Sequence, residues 1–149
     1  MKVLAKNKRA RFDYELLETL GAGIVLRGFE VKSLKTQTAN LTDAIVKIDQ
    51  YWVWLINCDI PLYKKTSPKQ EPWYEPKGRR KLLVTKQQAG RLRERTHKTW
   101  FRLIPIAILA DARGLIKVKL ALAKLKKTID KRHKIRERDE KRLMKKERL

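Results

Sequence analysis

Polar and apolar residues along this chain alternate with a period of two more often than with a helical period, and the alternating stretches are short. Tyr14 to Leu20 and Ile24 to Leu26 read as strand, with Gly21-Ala22-Gly23 between them as a bend or bulge that glycine tolerates. Ala44 to Asp49 alternates Ala44, Val46 and Ile48 with Ile45, Lys47 and Asp49, and Tyr51 to Ile56 answers it across a tight Asp49-Gln50 connection, which predicts a hairpin. A second hairpin pairs Trp100 to Leu109 with Leu115 to Ala123 across Asp111-Ala112-Arg113-Gly114. In its return strand Ile116, Val118, Leu120 and Leu122 face one side and Lys117 and Lys119 the other.

Two segments break this period. In Gly28 to Lys35 the apolar Val31 and Leu34 are three apart, the spacing of a short helix, with Glu30, Lys32, Ser33 and Lys35 turned outward. Thr85 followed by Gln88 forms a capping box for a helix to about Arg95 that buries Ala89 and Leu92. Before it, Leu82-Leu83-Val84 reads as a buried strand led in by Arg79-Arg80-Lys81. Tyr63 to Gly78, with Pro68, Pro72 and Pro76, reads as an exposed loop. The expected fold is mainly β: five or six strands and two or three short helices in a small closed barrel of the oligonucleotide-binding type, although periodicity alone allows other small barrels.

The last 26 residues differ. Lys124 to Leu149 carries 13 Lys/Arg against 5 Asp/Glu, a local charge of +8, with no Gly or Pro and no continuous apolar stripe. Such a segment favours helix by composition but cannot dock on its own core, so it is expected to become helical only when a polyanion supports it. Pairs such as Asp130 with Lys134 and Glu137 with Lys141 have the favourable i, i+4 order. The division expected is 1–123 as an RNA-binding barrel and 124–149 as a basic tail.

Charge then narrows the function. The chain has 149 residues and a net charge of +22, of which +14 remains on the body without the tail, far more than solubility requires. Nucleic acid suits this better than lipid, because the longest apolar run, Leu103 to Ala110, is too short to span a bilayer and contains Pro105. A basic N-terminus without a following apolar stretch and the lone Cys58, expected to be an inert thiol, point to the cytoplasm. His97 and His133 have no metal-ligand spacing and the carboxylates no catalytic one, so neither enzyme, metal nor cofactor is expected. Trp52 and Trp54, alternating on one strand, read as core or barrel-rim packing, and Trp73 as exposed.

Asn7-Lys8-Arg9-Ala10, Tyr14-Glu15, Glu18-Thr19, Ala22-Gly23-Ile24-Val25-Leu26, Gly28, Glu30-Val31-Lys32-Ser33-Leu34, Ala39-Asn40-Leu41, Arg80-Lys81-Leu82-Leu83 and Asp130-Lys131-Arg132 follow one another in the order and spacing of a known family. Over about residues 7 to 142 the chain resembles small protein B, the SsrA-binding proteins of bacteria. The resemblance implies a barrel that clasps the tRNA-like part of transfer-messenger RNA and brings it to stalled ribosomes, and a tail that becomes helical in the empty messenger channel near the decoding centre. The RNA-binding candidates are Asn7, Lys8, Arg9, Gly21, Glu30, Lys32, Ser33, Lys35, Asn40, Arg80, Lys81, Lys117, Lys119 and Lys124, the last three read as one basic stripe. Asn7 could instead close the barrel, Glu30 hold a structural salt bridge, and Asn40 cap a turn. The ribosome-binding candidates in the tail are Lys126, Lys127, Asp130, Lys131, Arg132, Lys134, Arg136 and Arg138. The chain departs from the family pattern at Gly21 for Glu, Thr38 for Lys, Lys35 for Arg, Leu125 for Gly and Ile129 for Tyr or His. The protein is expected to be monomeric, with transfer-messenger RNA and the ribosome as partners. The alternative is a ribosomal or general RNA-binding protein with a basic extension.

Overall fold

A computed structural model describes residues 1–50, 52–97 and 100–126, together with Arg138 and Arg142. Within the described part of residues 1–126, seven strands and three helices follow in the order β1 (Lys2–Lys6), α1 (Ala10–Asp13), β2 (Tyr14–Ile24), α2 (Gly28–Thr36), β3 (Ile45–Ile48), β4 (Val53–Ile56), β5 (Arg80–Leu83), α3 (Lys86–Thr96), β6 (Phe101–Ala110) and β7 (Ile116–Leu125). The strands pair antiparallel in the order β1-β6-β3-β4-β5-β2-β7, and β7 also pairs with β6. Six strands thus close into a ring, and β1 lies on the part of β6 that β3 leaves open. The barrel read from the alternation is present, with one strand more than counted.

Closure depends on two bulges. In β2 the register against β7 slips between Leu16 and Glu18, and in β6 it slips between Pro105 and Ala107. Each bulge swaps which alternate side chains face the interior. Leu16 and Ile104 therefore sit in an outer cluster with Ala10, Ala121 and Ala123, while Leu20, Ala22 and Ile108 belong to the main core with Val53, Leu55, Leu103, Val118, Leu120 and Leu122. The small Ala121 and Ala123 leave room outside for α1. The expected bulge at Gly21-Ala22-Gly23 is absent, because β2 runs through it paired to β7 and the slip falls earlier.

Other boundaries hold or shift for local reasons. The β3–β4 connection is tight, as read, and Asp49 closes it: its N–H donates to the Trp52 carbonyl at 3.0 Å and its carboxylate accepts from Trp52 N–H at 2.7 Å. β5 begins at Arg80 and is half-buried, with Leu82 inside and Leu83 outside. The α3 cap forms as read: Gln88 N–H donates to Thr85 Oγ1 at 3.1 Å and Thr85 N–H to Gln88 Oε1 at 3.2 Å. β7 continues to Leu125, beyond the expected boundary at residue 123.

The N-terminal segment, read only as a basic terminus, is a strand. Just after it, Asn7 is buried against the β6 bulge, its backbone N–H donating to Ile106 O at 2.7 Å and its Nδ2 to Pro105 O at 3.0 Å. Asn7 serves the carbonyls that a bulge leaves without ladder partners. Asn7→Ala should therefore cost about 1–3 kcal/mol in urea unfolding, the penalty for stranding a buried acceptor.

Candidate nucleic-acid interface

The motif in α2 and β5 divides into an inside and an outside. Glu30 and Ser33 are buried although both were read as facing outward, because α2 sits in a cleft rather than on open surface. Ser33 Oγ donates to Pro61 O at 2.5 Å. Glu30 closes the helix N-terminus by accepting from Arg27 N–H at 3.0 Å through Oε1, and accepts from Arg80 Nε at 2.6 Å through Oε2. Arg80 uses all five of its N–H groups: Nε on Glu30, Nη1 on Cys58 O and Gly78 O, Nη2 on the Tyr74 hydroxyl and Pro76 O. No donor remains for RNA. Burial works against the Arg80 charge, but the hydrogen bond and charge of Glu30 outweigh it and hold the guanidinium above its ordinary pKa.

Glu30, Ser33 and Arg80 are thus engaged with partners inside the fold, and of the two roles open to Glu30 the salt bridge is formed. Asn7 is likewise engaged, at the β6 bulge. Asn40 takes the turn-capping role, its Oδ1 accepting from Thr42 N–H at 2.8 Å while its backbone bridges to Asp59. Beside Arg80, burial pushes the Cys58 thiol from 9.0 to about 11 and also raises the Tyr74 phenol. A buried thiol with so high a pKa is a poor nucleophile, in keeping with the inert role read for it.

The cations left outside form two groups. Lys32 and Lys35 stand on the exposed side of α2. Lys32 Nζ lies 5.9 Å from the centre of the Tyr63 ring. Lys35 Nζ covers the β6–β7 turn so closely that a side chain at Gly114, whose φ is +84°, would meet it at 3.2 Å. On the β2–β7 surface Arg11, Lys119 and Lys126 line a groove with Tyr14, Leu16 and Thr19. Lys117 shares the outward side with Lys119 and reaches Asp111 at 4.0 Å. Lys124 does not belong to that stripe, because its offset from each of them is an odd number of positions and strand alternation turns it the other way. Lys8 and Arg9 are exposed, and Arg9 pairs with Asp13 at 3.8 Å. Among the described residues no three His, Cys, Asp or Glu side chains gather as metal ligands, and no helix is long and apolar enough to cross a membrane.

Gly21 is exposed, directly opposite Lys119, and a Cβ there would have nothing within 4 Å. The missing acidic side chain thus reflects no steric demand, and its absence leaves Lys119 without a carboxylate across the ladder at that position. Of the tail candidates, Lys126 is held by the body: its N–H donates to Asp13 O at 3.1 Å and its Nζ to Arg11 O at 2.6 Å, so the free segment cannot begin there. The Arg138 guanidinium lies 5.3 Å from the centre of the Phe12 ring. Lys127, Asp130, Lys131, Arg132, Lys134 and Arg136 lie outside the described residues, as does the helix expected there.

The model of the family described as SmpB protein matches residues 4–148. This chain belongs to the SmpB family. It is similar to the SsrA-binding protein of Neorickettsia sennetsu, 45% identical over 93% of this chain and 92% of the relative, and to that of Coprothermobacter proteolyticus, 43% identical over 99% and 97%. A solved structure described as "tmRNA-SmpB: a journey to the center of the bacterial ribosome" is 38% identical, with a TM-score of 0.67 over 83% of this chain and 84% of that one.

Against this SmpB-family background, several surface residues escaped the sequence reading. Val53 and Leu55 fill the core, so the alternation turns Trp54 outward, and Trp52 is 47% exposed; of the core and barrel-rim roles read for them, the core one is not taken. Arg79 lies over the Trp54 ring at 4.4 Å and Lys81 Nζ over the Trp52 ring at 3.3 Å. The signal was available, since two residues cannot both be inward and next to each other in a strand.

Two substitutions test the inside-outside division. Arg80→Met strands Glu30 and should cost about 3–5 kcal/mol in denaturant unfolding. Gly21→Glu should fold and gain about 1 kcal/mol, by removing a strand glycine and adding a cross-strand pair with Lys119.

Proposed function

We propose that this chain is the RNA-binding adaptor of trans-translation, holding the tRNA-like domain of transfer-messenger RNA on its barrel and delivering it to stalled ribosomes. The observation that carries the reading is the near full-length likeness to SsrA-binding proteins and to the tmRNA-SmpB structure, on a barrel whose exposed motif residues include the cations Lys8, Arg9 and Lys32. Lys8, Lys32, Lys35, Lys81, Lys117 and Lys119 supply phosphate contacts around the barrel, while Asn7, Glu30, Ser33 and Arg80 hold the surfaces that present them. Contacts of this kind fix register on a folded RNA and recognise its shape rather than its bases.

The body, residues 1–126, does the binding, and the basic segment after Lys126 occupies the empty messenger channel near the decoding centre. In that division Lys127, Asp130, Lys131, Arg132, Lys134, Arg136 and Arg138 belong to the ribosome-facing arm. The protein works in the cytoplasm by binding alone, without catalysis.

Titrating the full chain and a version ending at Lys126 against a tRNA-like domain and an unrelated RNA hairpin tests this. The shortened chain should bind the tRNA-like domain within about threefold of the full chain and fail to support tagging on stalled ribosomes. Equal affinity of the full chain for both RNAs would sink the adaptor reading in favour of a general RNA-binding protein. Lys32→Ala should leave urea stability within about 0.5 kcal/mol of the parent while lowering the salt dependence of binding by about one phosphate contact.

A further inference from the structure

A groove of about 500 Å³ opens on the outer side of β4 and β5, lined by Val25, Arg27, Trp54, Trp73, Arg79 and Lys81 among others. Trp73 is 91% exposed, an unusual state for the largest apolar side chain. It is not on a loose loop. Its neighbour Tyr74 donates its hydroxyl to Ile60 O at 2.6 Å, accepts from Arg80 Nη2 at 3.0 Å and packs edge-on against Phe29 at 4.8 Å. Pro76 and Gly78 are held by the same guanidinium. The fold thus fixes the backbone beside an indole that gains nothing from the core.

The other wall is a second flat surface. Trp54 is half-buried, its Nε1 donating to Asp49 Oδ2 at 2.9 Å, and Arg79 covers its ring. Lys81 stands beside it over Trp52, which is itself exposed. Of the carboxylates lining the groove, Glu30 is taken by Arg80 and Glu75 is exposed, while Arg27 on its wall pairs with Glu71 at 2.9 Å. Flat aromatic and guanidinium faces with an ammonium alongside are the chemistry of single-stranded nucleic acid, whose bases stack and whose phosphates take the charge. An apolar peptide or lipid chain would need a mainly aliphatic lining, whereas here Val25 and Leu26 stand among aromatic and charged side chains.

We propose that this groove binds one unstacked nucleotide of the RNA, its base against Trp73 and the Arg79–Trp54 stack and its phosphate toward Lys81. The proposal rests on the adaptor reading for the identity of the RNA but not for the chemistry of the groove. Because stacking accepts every base face, the subsite prefers single-stranded over paired RNA and discriminates little among bases.

The test uses the full-length chain, its W73A and W73F variants, the tRNA-like domain, and a single-stranded hexanucleotide carrying 2-aminopurine. The parent and W73F should quench the 2-aminopurine emission, and W73A should not. W73A should bind both RNAs about tenfold more weakly with an unchanged salt slope, because stacking releases no counterions, whereas K81A should lower the slope. A urea midpoint within error of the parent establishes that W73A is folded, as expected for so exposed a side chain. Unchanged affinity and quenching in W73A overturn the proposal. So does loss of ribosome rescue in W73A with RNA binding and quenching intact, since the groove would then meet protein. If the parent quenches the hexanucleotide but does not prefer the tRNA-like domain over a hairpin, the groove stands and the adaptor reading fails.

Discussion

One buried guanidinium organises the half of the barrel surface that carries the family motif. Arg80 stands on β5, and its five N–H groups reach α2 through Glu30, the segment after β4 through the Cys58 carbonyl, and the proline loop through Tyr74, Pro76 and Gly78. Lysine could not replace it, because an ammonium has three donors and no planar fork. Buried ion pairs of this kind contribute little net stability over a well-packed apolar alternative, yet are costly to break. What Arg80 supplies is geometry: it sets the direction of α2, and with it where Lys32 and Lys35 point, and it gives a proline-rich loop without secondary structure a single shape.

The same logic separates the motif residues. Those that can satisfy a buried backbone or side-chain partner do so: Asn7 at the β6 bulge, Ser33 at Pro61, Glu30 at Arg80. Those with a long stem and a charge, such as Lys8, Lys32, Lys35 and Lys119, remain in water. A polar motif is thus two sets of residues interleaved in sequence, one that shapes the surface and one that is the surface.

The alternation of Val46 and Ile48, of Val53 and Leu55, and of Val118, Leu120 and Leu122 made the barrel legible, because a period of two has few structural solutions. The Thr85–Gln88 cap was legible for the same reason, being local. What could not be read was set by partners far along the chain. The bulges in β2 and β6 exist because two outer and inner clusters must be served by one strand each, and no local pattern marks Leu17 or Ile106. The short β1 was hidden because the strand it pairs with, β6, lies far along the chain. Glu30 and Ser33 look like the solvent face of a helix until Pro61 and Arg80 arrive from elsewhere. The resemblance to the SsrA-binding proteins located the motif correctly but not which of its members face solvent.

The pairing pattern also sets when the barrel can exist. β1 and β2, the first strands made, pair with β6 and β7, so that Lys2 lies beside Ala110 and Tyr14 beside Leu125. Ring closure therefore joins residues more than a hundred positions apart, which places the protein among slow, high-contact-order folders. During synthesis β1 waits for β6, and β2, apart from a short pairing with β5, waits for β7, so the groove of Arg11, Lys119 and Lys126, which needs both β2 and β7, is a late surface to form. A nascent copy cannot present that surface before its own translation is almost complete.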